Sequence, residues 1–330
     1  MSRLCPFAAL LFVVALGLAA CGPAAPTPTA AEVAAPTPTL AAPTLPPTAT
    51  AMPPTTTPMP PAATPMPPSP APPTATLEPA QPALPPAPQE IAFDAEDGQA
   101  LLGRYYPGAA LSSPMVVLMH WAPGDAQDWQ AIAPWLQNRG LPRTGAPANA
   151  ATPWLDATWF PALPEGRSYA VFLFTFRGCE GGCRKFARAE WLLDAQAAMR
   201  TARALEGIDP QRIVAVGASI GADGAADGCA WLNAQGDGAC LGAISLSPGD
   251  YLTVSYAQAV ADLSAAQNPS PAWCLYAAED KASAAACQEA QGAAYRAVEY
   301  AGKAHGMQLI APELQPSALS LLLEFLEGVL

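Results

Sequence analysis

Basic side chains are scarce in this 330-residue chain: 15 Lys and Arg stand against 27 Asp and Glu, with only two histidines. The resulting formal net charge of −12 argues against nucleic acid or an anionic lipid surface as a partner, since either would repel it. With so few imidazoles, a histidine base can only be His120 or His305. Long apolar runs are also missing. Phe7 to Leu18 is too short to span a bilayer stably, and no other run is flanked like a membrane span. From Gly22 to Pro88 there is no aromatic residue and almost no charge, so this stretch has nothing to bury.

That stretch is instead crowded with proline, holding more than half of the chain's 40, interleaved with Thr and Ala. Pyrrolidine rings remove backbone donors, and a disordered stalk with polyproline II bias is expected over 22–88. Fully extended it would reach on the order of 200 Å. An inert spacer is the simpler reading of its Thr-Pro repeats, with an O-glycosylated tract as the alternative. Ahead of it, Arg3 and the apolar run Phe7 to Leu18 have the layout of an export signal over 1–21. The run ends in Leu18-Ala19-Ala20-Cys21-Gly22, which resembles the lipobox of bacterial lipoproteins. The resemblance implies cleavage before Cys21 and acylation of that residue. Two or three acyl chains would make a stable membrane anchor on the outer side of the cell membrane. The alternative is an ordinary secretory leader cut near Cys21.

Residues 89–330 are one domain's worth of chain. Ile91 to Phe93 and Leu101 to Tyr106, separated by Glu96-Asp97-Gly98, read as an antiparallel hairpin. Buried strands are expected at Met115 to His120, Tyr169 to Phe176, Ile213 to Val216, Leu241 to Leu246, Trp273 to Ala277 and Ala297 to Tyr300. Helices are expected at Asp125 to Asn138, Ala187 to Leu205, Tyr256 to Ala265, Ala282 to Ala294 and Ser317 to Leu326. This alternation predicts an α/β protein with a mostly parallel sheet covered by helices on both faces. A long Pro- and Trp-rich insertion, Gly140 to Arg167, interrupts it. Its aromatics either cover a pocket or pin the loop to the core.

The chain is organised around Arg212-Ile-Val-Ala-Val-Gly-Ala-Ser-Ile-Gly221. A β-branched run turns through Gly217-Ala218-Ser219-Ile220-Gly221 into small residues suited to a close-packed helix. Such a strand–turn–helix exposes the serine hydroxyl at the sheet edge, and the glycines relieve crowding beside it. A serine hydroxyl needs an adjacent base, which in turn needs an orienting acid. Four landmarks share one order: the strand ending in His120, Thr175-Phe-Arg-Gly178, the Ser219 turn, and then an Asp before a His.

In that order the domain resembles the α/β-hydrolase fold, closest to small dienelactone-hydrolase-like or esterase members without a full cap domain. The resemblance implies Ser219 as nucleophile and His305, in the loop after the last strand, as base. It implies Asp280 as acid, with Glu279 and Asp250 as alternatives. It also implies an oxyanion hole from the N–H groups of Ile220 and Ala122, with Trp121 possible for the second. Trp121 departs from the pattern, because a Gly is usual there. His120 is expected to shape that loop rather than move protons. The implied activity is hydrolysis of an ester or acyl bond in a small, uncharged or cationic substrate, with no metal or other cofactor. A peptidase or acyltransferase with the same triad is the enzymatic alternative, and a silent surface binding module on the same fold is the other.

Six cysteines remain after Cys5 and Cys21, in the close pairs Cys179/Cys183, Cys229/Cys240 and Cys274/Cys287. An even set beyond the membrane invites disulfides, and the local pairing is expected, each bridge contributing roughly 2–3 kcal/mol. Metal binding at Cys179-x-x-x-Cys183 is a minor alternative, since no further ligands lie close in sequence.

Overall fold

A computed structural model describes residues 84–140, 148–237 and 239–330. The export signal, Cys21 and the stalk as far as residue 83 lie outside the described residues. Residues 84–88 run along the domain, where Gln137 Nε2 donates to the Pro86 carbonyl and Arg139 Nη2 to the Leu84 carbonyl.

Among the described residues eight strands form one sheet: β1 (Gln89–Asp94), β2 (Ala100–Tyr106), β3 (Ser113–Met119), β4 (Ala170–Phe174), β5 (Ile208–Ala218), β6 (Cys240–Leu246), β7 (Ala272–Ala277) and β8 (Tyr295–Tyr300). Their spatial order is β1-β2-β4-β3-β5-β6-β7-β8. β2 runs antiparallel to β1 and β4, and every other pairing is parallel. The parallel pairings follow from the continuous apolar runs, which suit strands buried on both faces. Met115, Val117 and Met119 of β3 enter one core, while Val116 and Leu118 enter the other.

Among the described residues six α-helices cover the sheet: α1 (Ile132–Gln137), α2 (Arg188–Arg203), α3 (Ile220–Leu232), α4 (Tyr256–Ala265), α5 (Lys281–Glu289) and α6 (Ala318–Val329). Buried residues of α2, α3, α4 and α5 share the first core, and those of α1 and α6 share the second. Arg177 ties this frame together. Its guanidinium bonds Asp194 of α2 at 2.6 Å and Asp97 of the β1–β2 turn at 2.5 Å.

Two helices differ from expectation. The stretch Asp125 to Asn138 is a 3-10 turn, Ala126–Trp129, followed by the short α1. Pro134 accounts for the break, because in a continuous helix its ring would collide with the carbonyl of Gln130. α5 stops at Glu289, not Ala294, and β8 starts two residues earlier than expected, at Tyr295, pairing with Ala272. The described part of the insertion, 148–167, lies against the core: Trp154 is buried beside Trp121, and Trp135 Nε1 donates to the Pro161 carbonyl at 2.7 Å. The three cysteine pairs stand at disulfide distance in the local arrangement.

One core position works against stability. Asp227 of α3 is buried, and neither carboxyl oxygen has a hydrogen-bond partner among the described residues. Burial pushes its pKa well above the usual 3.8, and the negative charges of Asp223, Asp250 and Asp262 push the same way. The folded chain therefore keeps a proton that the unfolded chain releases near 3.8, so this group's contribution to stability declines as pH rises above that value. The slope is at most ~1.4 kcal/mol per pH unit. Asp227→Asn is expected to gain stability relative to the native chain as pH rises from 5 to 8, because the amide has no proton to lose. Thermal unfolding at the two pH values checks this, and an equal difference at both would contradict it.

Candidate active site

The site forms where β3, β5, β7 and β8 end, the carboxyl edge at which open α/β sheets gather their functional loops. Ser219 follows β5 and caps α3 with φ 53° and ψ −117°, a conformation costly for a residue bearing a Cβ. The tightness of this elbow explains its glycines. A Cβ on Gly217 would run into the Gly221 carbonyl, and one on Gly221 into the carbonyls of Met119 and His120. The first turn of α3 is thereby pressed onto the end of β3.

Ser219 Oγ lies 2.8 Å from His305 Nε2, and His305 Nδ1 lies 2.6 Å from Asp280 Oδ2. A carboxylate facing Nδ1 assigns the proton to that nitrogen and leaves Nε2 free to accept from the hydroxyl. The three side chains come from the ends of three different strands, 25 and 86 residues apart in sequence. The other two carboxylates stay away from the imidazole. Asp250 Oδ1 accepts from the N–H of Tyr256 at 2.6 Å, and Glu279 is exposed.

The segment after β3 is held by His120. Its Nδ1–H donates to the Trp121 carbonyl at 2.7 Å, while Nε2 accepts from the N–H of Phe176 at 3.0 Å. Both nitrogens are thus committed, and complete burial pushes the ring's pKa down to about 4, keeping it neutral. Because a trans peptide opposes its C=O and N–H, fixing the Trp121 carbonyl also fixes the direction of the Ala122 N–H. On the far side, Ile220 opens α3, where an N–H has no intrahelical acceptor. The Trp121 indole turns away from the turn and donates to Asp128 Oδ2 at 2.6 Å. Burial raises the Asp128 pKa to about 6, and the indole bond opposes the rise. Trp121 also packs against Gly306, where an added Cβ would lie 2.9 Å from the ring and the φ of 56° independently favours glycine.

Two contributors escaped the sequence reading. Asp223, one turn into α3, accepts from the N–H groups of Gly249 and Tyr251, and burial lifts its pKa to about 7 against those bonds. It holds the loop after β6 so that the Tyr251 ring stands edge-on to His305, 6.2 Å between centroids. A carboxylate among the Ala and Gly of α3 was the available signal, because a buried acid demands partners. Beyond Tyr251 lies Phe186, which is 64% exposed. Next to His305 in sequence, Ala304 borders a cleft of about 380 Å³ together with Trp154, Trp159 and Met307. Among the described residues, no cluster of three His, Cys, Asp or Glu is placed to hold a metal ion.

No family model matches the chain, and no curated protein sequence does. Solved structures do match. An esterase of Pyrococcus furiosus is similar with a TM-score of 0.50 at 15% identity, over 74% of this chain and 93% of that one. An esterase of Pyrobaculum calidifontis gives 0.51 at 16% identity, over 74% and 87%. At such identities the likeness is one of fold, and together with the strand order it defines the class: this chain has the α/β-hydrolase fold.

Proposed function

We propose that the protein is a serine hydrolase that cleaves an ester, or a similarly activated acyl bond, of a small uncharged or cationic substrate. The observation that carries this reading is the unbroken chain of short contacts from Asp280 through His305 to Ser219 on a strained elbow. The two esterases of the same fold support it. In the proposed reaction Ser219 Oγ attacks the carbonyl carbon while His305 Nε2 takes its proton. Negative charge develops on the carbonyl oxygen, and the N–H groups of Ile220 and Ala122 stabilise it. His305 then protonates the departing alcohol, leaving an acyl group on Ser219. A water molecule, deprotonated by the same nitrogen, then attacks the acyl carbon, and His305 returns that proton to Ser219 Oγ as the acyl–oxygen bond breaks and the acid leaves. Asp280 holds the imidazole tautomer and stabilises the imidazolium formed in each half of the cycle.

Turnover of p-nitrophenyl acetate, butyrate and octanoate by the full chain, beside a panel of peptides, tests this. Ester hydrolysis without peptide cleavage is expected. Peptide cleavage would make the protein a peptidase, and inactivity on both would favour a binding module on the same fold.

The same proposal extends to location. The Leu18-to-Cys21 resemblance supports a protein anchored by acylated Cys21 on the outer side of a bacterial membrane, tethered by the proline-rich stalk. The three cysteine pairs at disulfide distance fit an oxidising compartment. Among the described residues no helix is long and apolar enough to cross a membrane. Cys21→Ala is expected to shift the protein from the membrane fraction to a soluble or unprocessed form. Lipid labelling that survives this change would defeat the anchor.

A further inference from the structure

The short loop Cys179-Glu-Gly-Gly-Cys183 lies against the segment Trp121-Ala122-Pro123, joined to it by one backbone bond and to Asp125 just beyond it by a second bond to the side chain. The N–H of Cys183 donates to the Ala122 carbonyl at 2.7 Å, and the N–H of Gly181 donates to Asp125 Oδ2 at 2.9 Å. Gly182, with φ 108°, approaches so closely that an added Cβ would lie 2.9 Å from the Pro123 carbonyl oxygen. The segment is therefore gripped from two sides: His120 holds the Trp121 carbonyl, and the cysteine loop holds the next one.

Gripping requires that the cysteine loop itself be fixed, and its composition works against that. Gly178, Gly181 and Gly182 all stand at positive φ, and glycine loses more backbone freedom on ordering than any other residue. The Cys179 and Cys183 sulfurs are 2.10 Å apart, and Cys179 is fully buried. A crosslink across Gly181 and Gly182 removes conformers in which Cys183 leaves Ala122. The other two pairs are elsewhere. Cys229–Cys240 joins the end of α3 to the start of β6, away from the carboxyl edge of the sheet, and Cys274–Cys287 joins β7 to α5.

We propose that the Cys179–Cys183 disulfide is a positioning device for the Ala122 N–H, keeping the second oxyanion donor aimed at the site. This rests on the reading of Ala122 as that donor. The pair touches neither substrate nor reacting atoms. It acts through the Cys183 N–H on the Ala122 carbonyl, so breaking it loosens transition-state stabilisation while leaving substrate binding almost unchanged.

The test compares the full chain with Cys179→Ser/Cys183→Ser and, as a control, with Cys229→Ser/Cys240→Ser. Amide hydrogen exchange of a peptide covering residues 119–125 is measured alongside kcat and KM on p-nitrophenyl butyrate. Removing Cys179–Cys183 is expected to speed exchange in that peptide about tenfold or more, with β5 and β6 unaffected. It should lower kcat roughly ten- to a hundredfold, less than the loss of a whole oxyanion donor, with KM within about twofold. The control should leave both readouts at the 119–125 segment and the site unchanged. If the double serine variant does not fold, Cys183→Ser alone breaks the crosslink for the same comparison. Gly182→Ala, which keeps both sulfurs but pushes a methyl group at Pro123, tests the loop's contact with the segment by the same two readouts. Unchanged exchange at 119–125 would overturn the proposal, as would faster exchange with kcat intact. If the native chain hydrolyses no ester, the proposed function falls, while exchange still decides whether the disulfide holds the segment.

Discussion

Ser219→Ala is expected to abolish nearly all ester turnover, a loss of roughly 10⁶-fold in kcat, and His305→Ala to do the same. The two groups act on one proton. Without the imidazole the hydroxyl that lies 2.8 Å from Nε2 keeps its hydrogen, and without the hydroxyl the imidazole has nothing to activate. The double variant should therefore be scarcely worse than either single one. Additive losses would mean that the two residues serve separate steps. Both replacements keep the elbow's glycines and leave the core untouched, so thermal unfolding should change little. A variant that is inactive because it is unfolded can thus be told from one that is inactive because it lacks the chemistry.

The second large effect concerns the acid. Asp280→Asn should lower kcat by on the order of 10⁴-fold, because an amide beside Nδ1 favours the wrong tautomer and cannot balance the imidazolium. The 2.6 Å contact between His305 Nδ1 and Asp280 Oδ2 makes this carboxylate the partner of the ring. Asp250→Asn should cost far less. Its Oδ1 accepts from the Tyr256 N–H at the start of α4, and its backbone carbonyl accepts from Arg188. Steady-state kinetics of the two variants on one ester decides between them. A larger loss at Asp250 would leave the enzyme standing with its acid reassigned.

How much of this was legible beforehand differs by element. The inner strands were read closely, because runs such as Met115 to Met119 and Leu241 to Leu246 carry apolar side chains to both faces and allow little else. The elbow was legible because its demands are local: Gly217 and Gly221 are required by contacts within a few residues of Ser219 and with the neighbouring strand end. The boundaries that failed had local causes too, and the break before α1 was written in Pro134. Which carboxylate meets His305 was another matter. Asp250, Glu279 and Asp280 all stand at strand ends, and the choice depends on how two loops turn after leaving the sheet. Composition says nothing about that. The grip of Cys183 on Ala122 was invisible for a related reason, being a bond between two main chains 61 residues apart in sequence, with no side chain to announce it. Trp121 was conspicuous as a bulky residue where small ones are usual, yet only the fold shows its indole turned onto Asp128 and Trp154.

Fluorophosphonate labelling tests the central claim most directly, because the reagent phosphonylates an activated serine whether or not the natural substrate is known. The folded chain, treated and digested, should carry one adduct, located by mass spectrometry on Ser219. Ser219→Ala and urea-unfolded protein should carry none. An unlabelled folded chain that also hydrolyses no activated ester, or an adduct on a different serine, would contradict the assignment of Ser219, His305 and Asp280 as a catalytic unit.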